Sequence, residues 1–238
     1  MPQVTHDVIG EALTAFWEGD TEAVINVDSN ITEGEEIPVS YLFRDVGDIP
    51  DLEKEALTYA RGSVLDVGAG AGVHALFLQE SYDVCALEAS KKACEIMKLR
   101  GVKEVIHISI QEFRGRTFDT IFLLMNGLGI AGTQIGLKSL LIHLGTLLEQ
   151  GGQIILDSAD IIYMFEDEEG GVDINLNAAY YGELEYEISY KENKATFQWL
   201  YLGYELLHDY AKEAGFVCEK IYDGPMNSYL AKLTVGDE

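Results

Sequence analysis

The fold of this chain is decided by one short segment, residues 64–72, whose sequence is VLDVGAGAG. A run of apolar residues ends there in three glycines at alternate positions, Gly68, Gly70 and Gly72. Glycine lets the backbone turn sharply and lets a ligand approach the main chain closely. If a helix follows, its free N–H groups point at that ligand. The segment therefore predicts a strand, a ligand-binding turn and a helix in direct succession.

Strands and helices alternate around this turn. Short apolar runs predict strands at residues 63–67, 83–87, 104–108, 118–124 and 153–157. Helical spacing predicts helices at residues 73–80, 90–100 and 134–150, the second with Ser90 as its N-cap and Gly101 at its end. Strands that alternate with helices predict a mostly parallel sheet with helices on both faces.

Both ends of the chain depart from this alternation. Near the N-terminus we predict a helix over residues 8–17, a loop over the polar and acidic residues 28–38, and a second helix from Asp51 to Ala60. Near the C-terminus, alternating polar and aromatic residues predict a β-hairpin. Its arms are residues 180–190 and 195–201, followed by a helix at 204–214 and an antiparallel strand pair at 216–222 and 229–234.

An acidic residue stands at the end of the second predicted strand. Glu88 follows Leu87, and a carboxylate at that place can accept two hydrogen bonds from a ribose diol. Asp66 precedes the first glycine of the turn by two residues. Together with the glycine turn, Glu88 favours a ligand that carries a ribose.

The combination resembles the class I S-adenosylmethionine-dependent methyltransferases. Residues 64–72 look like the first motif of that family, and Glu88 stands where its ribose-binding acid stands. The sequence FDTI at 118–121 looks like the entry to the fourth motif, and LLEQGGQ at 147–153 looks like the segment that opens the fifth strand. The resemblance covers residues 62–157 well and the closing strands more loosely.

The resemblance implies an α/β fold, a three-layer Rossmann-like sandwich. Its mostly parallel seven-stranded sheet has an antiparallel last strand, with N-terminal helices and an inserted β-hairpin added to it. We expect a single methyltransferase domain over residues 1–238. Its predicted parts are an N-terminal helical lid (1–50), a cofactor-binding core (51–157), a loop and β-hairpin insertion (158–202) and a closing helix and β-pair (203–238).

The resemblance further implies S-adenosylmethionine as cofactor and S-adenosylhomocysteine as product. The glycine turn and Asp66 would hold the methionine part, Glu88 the ribose, and residues 89, 110 and 111 the adenine. Asn126 would lie on the acceptor side, and Arg44 could bind the carboxylate of the cofactor or an anionic acceptor. The predicted cofactor-binding residues are Asp66, Gly68, Ala69, Gly70, Glu88, Ala89, Ile110, Gln111, Asn126 and Arg44.

One position departs from the family pattern. The family often has an aspartate just after the third strand that contacts the adenine amino group, whereas this chain has Ser109, with Glu112 three residues later. Either adenine recognition relies on the backbone and Gln111, or the alignment is shifted at this place.

Two other functions compete with a methyltransferase for this glycine turn. The NAD-binding fingerprint is usually GxGxxG, and here Val73 occupies the position of its third glycine, which disfavours an NAD-dependent oxidoreductase. A non-catalytic module that binds an adenosine ligand stays open, because the glycine turn alone does not distinguish a binding protein from an enzyme.

The sequence after the predicted strand at 118–124 and the net charge of the chain indicate the class of methyl acceptor. The sequence LMNGLG at 124–129 lacks the prolines and the aromatic residue of DNA amino-methyltransferases, and no Pro-Cys pair occurs. With 41 acidic and 16 basic residues the net charge is −25, which repels phosphate backbones and anionic membranes. We therefore expect a small-molecule acceptor, with a protein side chain second, and neither a nucleic acid nor a membrane as partner.

The remaining sequence features give weaker guidance. The three cysteines form no CxxC pair, the acidic run at 165–171 lacks calcium-loop spacing, and no apolar run reaches the roughly 18 residues of a membrane span. We therefore expect a cytoplasmic protein without a metal site. The aromatic hairpin, which includes Trp199, could cover the acceptor pocket or form a homodimer interface. No catalytic residue is assigned: Asp157 and the histidines His74, His107 and His143 are the weak candidates.

Overall fold

The computed structural model describes residues 6–167, 171–172, 174 and 179–236, so part of the predicted acidic loop at 165–171 lies outside the described residues. Its strands are β1 (Val24–Ser29), β2 (Glu35–Pro38), β3 (Ser63–Val67), β4 (Asp83–Glu88), β5 (Val105–His107), β6 (Phe118–Leu123), β7 (Leu148–Ala159), β8 (Glu183–Tyr190), β9 (Asn193–Leu200), β10 (Phe216–Asp223) and β11 (Ser228–Val235). Its α-helices are α1 (Val8–Trp17), α2 (Asp51–Thr58), α3 (Val73–Leu78), α4 (Lys91–Arg100), α5 (Gln134–Gly145) and α6 (Tyr204–Glu213).

Seven strands form the main sheet in the order β10-β11-β7-β6-β3-β4-β5. The five neighbouring strands β7, β6, β3, β4 and β5 pair in parallel. Strand β11 pairs antiparallel with both β7 and β10. This arrangement confirms the predicted α/β sandwich with one antiparallel strand near the end of the chain.

Helices bury both faces of the main sheet, because side chains of a strand alternate between its faces. In β6, Ile121 and Leu123 enter the core shared with α5 and α6, whereas Phe122 enters the core shared with α2, α3 and α4. Each such fully buried side chain stabilises the fold by roughly 1.5–3 kcal/mol. The carboxyl ends of the parallel strands are thereby fixed along a single edge.

The boundary between α5 and β7 differs from its prediction. The helix predicted at 134–150 ends at Gly145, and β7 begins at Leu148 rather than at residue 153. Leu147 and Leu148 continue the apolar spacing of the helix, but they lie beside Phe118, whose N–H donates to the carbonyl of Leu147. The register then shifts before Thr120, so the intervening residues form an irregular stretch of β7.

A second sheet of four antiparallel strands has the order β2-β1-β8-β9. The predicted helix at 8–17 and the predicted hairpin are confirmed as α1 and as β8 with β9. The predicted loop at 28–38 is wrong, because β1 and β2 occupy most of it, and the expected N-terminal helical lid is therefore a mixture of helix and sheet. β1 pairs with β8, where Ser29 lies opposite Tyr186, and β2 is exposed along its whole length, so neither strand has a local sequence signal.

The second sheet lies against the carboxyl edge of the main sheet. Trp199 of β9 packs on Gly129, which belongs to the 3-10 helix Gly127–Ala131 that follows β6. Asp7 links the start of α1 to the loop after β4. It accepts a hydrogen bond from the N–H of Gly10 (3.0 Å) and another from the hydroxyl of Ser90 (2.8 Å). Ala71 of the glycine turn packs in one core with apolar side chains of α1 and β1, so the turn lies beneath α1 and the small sheet.

Among the helices of the described ranges, none has both the length and the apolar character that crossing a bilayer requires.

The contact between the two sheets is testable at Gly129. An added Cβ there would lie 2.2 Å from the ring of Trp199, so the ring must shift. We expect Gly129→Ala to lower the free energy of unfolding by about 1–3 kcal/mol, the usual cost of overpacking. Urea denaturation measures this. Gly47→Ala is the matched control, because Gly47 also lies in a 3-10 helix and has open space around it. Equal stability of the two variants would contradict the described docking of the small sheet.

Candidate functional site

The glycine turn after β3 leaves room above its backbone. Gly68 and Gly70 adopt the left-handed φ values of +70° and +56°. The N–H groups of Gly68 and Ala69 both donate to the carbonyl of Leu87, at 2.9 and 3.1 Å. A Cβ added to Gly70 would meet nothing nearer than 4.0 Å. The turn therefore folds back against β4 and keeps an open approach to its main chain.

Glu88 lies beside this opening, as the sequence predicted. Its carboxylate accepts hydrogen bonds from the N–H of Gly70 and from the N–H of Ser90, each at 2.9 Å. The side chain is half-buried. Each carboxylate oxygen has a further lone pair, so a rigidly held Glu88 can still accept from a ligand diol.

Asp66 is almost wholly buried beneath the turn, with 2% of its surface exposed. Its Oδ2 has no hydrogen-bond partner among the described residues. Burial raises the pKa of the Asp66 carboxyl, and the charge of nearby His74 only partly opposes this. A buried acceptor without a donor costs free energy, which a ligand that donates a hydrogen bond would recover.

Arg44 is occupied by the protein itself. Its Nη2 donates to both oxygens of Glu53, at 2.7 and 2.6 Å, and its Nη1 donates to the carbonyl of Tyr41 at 2.7 Å. The guanidinium also stacks 4.0 Å from the centre of the Tyr41 ring. Its Nε is buried without a partner among the described residues. The predicted anion-binding residue therefore has its main ion pair inside the molecule.

Glu53 and His74 form a buried pair near the site, and no sequence pattern predicts their contact. His74 Nε2 lies 2.6 Å from Glu53 Oε2, and both side chains are buried. Burial alone would lower the pKa of His74, but the hydrogen bond from Glu53 and the charges of Asp66 and Glu53 outweigh it and raise that pKa. Burial alone would raise the pKa of Glu53, but His74 and Arg44 lower it. Glu53 is thus a buried carboxylate held between Arg44 and His74.

Asn126 and Asp157 meet at the ends of β6 and β7. The N–H of Asn126 donates to both oxygens of Asp157, at 2.9 and 3.1 Å. The side-chain amide of Asn126 accepts from the hydroxyl of Ser158 (2.8 Å) and donates to the carbonyl of Leu200 (3.2 Å). Burial, reinforced by the charge of Glu53, raises the pKa of Asp157 to about 7, against the opposing Asn126 N–H and His74. The Asn126 side chain therefore connects β7 with β9, and Asp157 is the ionisable group at the ends of β6 and β7.

The residues predicted to contact adenine differ in how far their side chains are exposed. Ala89 is exposed next to Glu88, and Gln111 is half-buried. Ile110 is only 4% exposed and packs in the core beneath α5, which leaves little of its side chain for a ligand. The hydroxyl of Ser109 donates to Glu112 (3.2 Å), so these two residues engage each other.

Comparison with known proteins identifies the family. No family model matches the chain, and none of the curated proteins matches it. A solved structure described as a SAM-dependent methyltransferase from Bacteroides fragilis in complex with S-adenosyl-L-homocysteine is 41% identical, with a TM-score of 0.89. The alignment covers 97% of this chain and 95% of that one. The chain belongs to the class I S-adenosylmethionine-dependent methyltransferases. This membership confirms the predicted fold, the methyltransferase function and S-adenosylmethionine as cofactor, and it gives the oxidoreductase alternative no support.

More distant structures share the fold of this methyltransferase. An S-adenosylmethionine-dependent methyltransferase from Clostridium acetobutylicum has a TM-score of 0.59 and 15% identity over 80% of this chain and 94% of that one. The sugar N-methyltransferase KedS8 from a Streptoalloteichus species has a TM-score of 0.57 and 18% identity over 88% of this chain and 98% of that one.

The buried ion pairs of Glu53 predict a large stability effect. We expect Glu53→Gln to lower the free energy of unfolding at pH 7 by about 3–5 kcal/mol, because it leaves Arg44 and His74 buried without their counter-ion. The control is Asp51→Asn in the same helix, because the Asp51 side chain is 85% exposed and its pair with Lys54 contributes little. Urea denaturation of both variants decides this, and equal losses would refute the arrangement.

The raised pKa of His74 predicts a pH dependence. A folded-state pKa above the unfolded value of about 6.5 stabilises the fold fully below that pH, and the gain is lost as pH rises through the folded-state pKa. The difference in the free energy of unfolding between the wild type and His74→Gln should therefore narrow as the pH rises above about 6.5, as measured by urea denaturation across pH. His208→Gln is the control for the substitution itself, because the His208 side chain is 45% exposed and lies outside the buried Glu53 pair.

Proposed function

We propose that this methyltransferase transfers the methyl group of S-adenosylmethionine to a small-molecule acceptor by in-line displacement. The observation that carries this proposal is the open approach above Gly70 beside the Glu88 carboxylate, together with the unpartnered oxygen of Asp66, which precedes the turn on β3. A nucleoside and an amino-acid group on one ligand match these two ends of the site.

The residues present fit the groups of the cofactor. Glu88 would accept from the ribose hydroxyls, and exposed Ala89 would pack against the adenine with Gln111 at its edge. The buried Asp66 oxygen would accept from the ammonium of the methionine part. The buried Nε of Arg44 would donate one hydrogen bond to the carboxylate of the methionine part. This is a smaller role than a bidentate ion pair, because the Nη atoms of Arg44 already bind Glu53 and Tyr41. An unpartnered acceptor and an unpartnered donor complement an α-amino acid.

The bound cofactor supplies a methyl group on a sulfonium, which is already strongly electrophilic. The chain has to orient an acceptor in line with it and keep water away. Orientation of this kind can lower a barrier by roughly 7–11 kcal/mol. The small sheet lies over the carboxyl edge and brings Trp199 against Gly129. We infer that the aromatic hairpin covers the site, since Trp199 packs within the chain and the Tyr186 and Tyr201 hydroxyls bond each other at 3.0 Å.

A small-molecule acceptor is favoured over a macromolecule by charge. The net charge of −25 opposes a nucleic-acid substrate, and the motif of DNA amino-methyltransferases is missing after β6. The distant fold neighbour KedS8 acts on a sugar, which is compatible with this class. A cytoplasmic location is supported by three buried free cysteines, which suit a reducing compartment. A protein side chain is the second candidate acceptor.

The cofactor site is tested by calorimetric titration with S-adenosylhomocysteine, with NAD and ATP as control ligands. We expect selective binding by the wild type and a loss of about 10–100-fold in Glu88→Ala, since charge-assisted hydrogen bonds contribute roughly 1.5–3 kcal/mol each. Glu88→Gln keeps one acceptor for the Gly70 N–H and should bind with intermediate affinity. Glu95→Ala, on exposed α4 surface, is the control. Unchanged affinity in Glu88→Ala, or a preference for NAD, would refute the site.

A further inference from the structure

We propose that the acceptor is a small amine and that Asp157 accepts the proton that its nitrogen must lose. The inference rests on the proposed function, because it concerns the acceptor side of the same site. It names both the chemical class of the substrate and a catalytic residue for the transfer.

Asp157 is placed where the acceptor has to arrive. It ends the parallel part of β7, next to the loop that follows β6, and this carboxyl edge of the main sheet also carries the glycine turn. The Asn126 N–H holds its carboxylate, and the Asn126 amide is itself held by Ser158 and by the carbonyl of Leu200. Asp157 remains partly exposed, and a carboxylate has enough lone pairs to accept from a ligand as well as from the Asn126 N–H.

Phenol groups and acids surround Asp157. Its charge acts on Tyr41, Tyr201 and Tyr229, and the charges of Glu53 and His74 act on it in turn. Tyr201 hydrogen-bonds Tyr186, and the charge of Glu35 on β2 reaches that pair. Burial raises the pKa of Tyr41 and Tyr201, so both phenols stay neutral at working pH. Arg44 covers one face of the Tyr41 ring, whereas the Tyr201 ring can face a cation from the acceptor.

These charges favour an amine over an anionic or neutral acceptor. Arg44 and His74 both bind Glu53, so the Nη2 of Arg44 and the Nε2 of His74 are engaged inside the protein and are not offered to the acceptor. What remains near Asp157 is its own carboxylate, the negative charge of Glu35 that acts on Tyr201, and aromatic rings. An ammonium pairs with the first two and lies favourably over the third. A neutral alcohol lacks the charge, and a carboxylate or phosphate acceptor is repelled.

The same carboxylate suits the proton transfer. An ammonium nitrogen has no lone pair, so it has to lose a proton before it can attack. A carboxylate with an ordinary pKa near 3.9 is a weak base for this task. Burial raises the pKa of Asp157 to about 7, which brings it close to the range where a general base works best.

The step balances as follows. An N–H proton of the ammonium passes to an oxygen of Asp157, and the freed lone pair on nitrogen forms the new N–C bond to the methyl group. The C–S bond of the sulfonium breaks, and its electron pair stays on sulfur. The products are an N-methylated ammonium, S-adenosylhomocysteine and a protonated Asp157, which releases its proton to solvent.

The experiment compares matched amines and alcohols on the full chain. Benzylamine, cyclohexylamine and glucosamine are paired with benzyl alcohol, cyclohexanol and glucose. Calorimetry measures their binding to the protein saturated with S-adenosylhomocysteine. Mass spectrometry then follows methylation with S-adenosylmethionine. We expect at least one amine to bind at least tenfold more tightly than its alcohol and to give an N-methyl product. If no amine is preferred, or if no preferred amine is methylated, the proposal is overturned.

Asp157→Asn tests the residue, because it keeps an acceptor for the Asn126 N–H and removes the charge. We expect it to lose the amine preference and to lower kcat/KM by about 10²–10⁴-fold. Wild-type kcat/KM should rise with pH through about 7 as Asp157 loses its proton, and the variant should lack that rise.

Two measurements separate this proposal from the proposed function. S-adenosylhomocysteine affinity should stay within about threefold of wild type in Asp157→Asn. Failure of the wild type to bind that ligand would instead defeat the methyltransferase site itself. Asp83→Asn, at the start of β4 on the opposite edge of the sheet, is the control. An Asp157→Asn protein that keeps the wild-type amine preference, rate and pH profile would overturn the assignment.

Discussion

Glu53 is the buried carboxylate on which the arrangement of the site depends. One side chain on α2 binds Arg44 from the N-terminal segment and His74 from the helix after the glycine turn. A lone buried charge costs several kcal/mol, so each cation can remain inside only because Glu53 is there, and Glu53 remains ionised only because of them. The three elements are therefore fixed relative to one another, and the position of the turn follows from that.

The topology of the main sheet explains why this edge carries the chemistry. From β3 the chain proceeds through β4 and β5 in one direction along the sheet, and then through β6 and β7 in the other. The loops after β3 and β6 consequently diverge at their carboxyl ends and leave a crevice, which is where open α/β sheets bind ligands. Gly70 and Glu88 lie on one side of that crevice and Asp157 on the other. Asp66 lies beneath it with an oxygen that still lacks a donor.

The parts of the fold with local signals could be predicted from the sequence. The strand, turn and helix of residues 63–78, the Ser90 cap, the Gly101 stop and the place of Glu88 all depend on neighbours within a few residues. β1 and β2 could not be predicted, because β1 gains its hydrogen bonds from β8, far along the chain. The end of α5 was misplaced because Leu147 and Leu148 continue the helical spacing while lying against β6. Glu53 gave no signal, since an acid in a first helical turn is ordinary and only the fold brings Arg44 and His74 to it.

The acceptor side escapes sequence analysis for a related reason. The cofactor side is built by one contiguous stretch of strands and turns, whereas the acceptor side combines Tyr41, Asp157 and Tyr201 from three distant segments with Glu35 of the small sheet. Such a surface can change its charge or shape without disturbing the glycine turn, because no residue of the turn contributes to it. Its acids and phenols are tolerated because the raised pKa values keep the phenols neutral and allow Asp157 to hold a proton near pH 7. A partly buried carboxyl with a raised pKa destabilises the folded state when ionised, and a bound cation is the partner that offsets that cost.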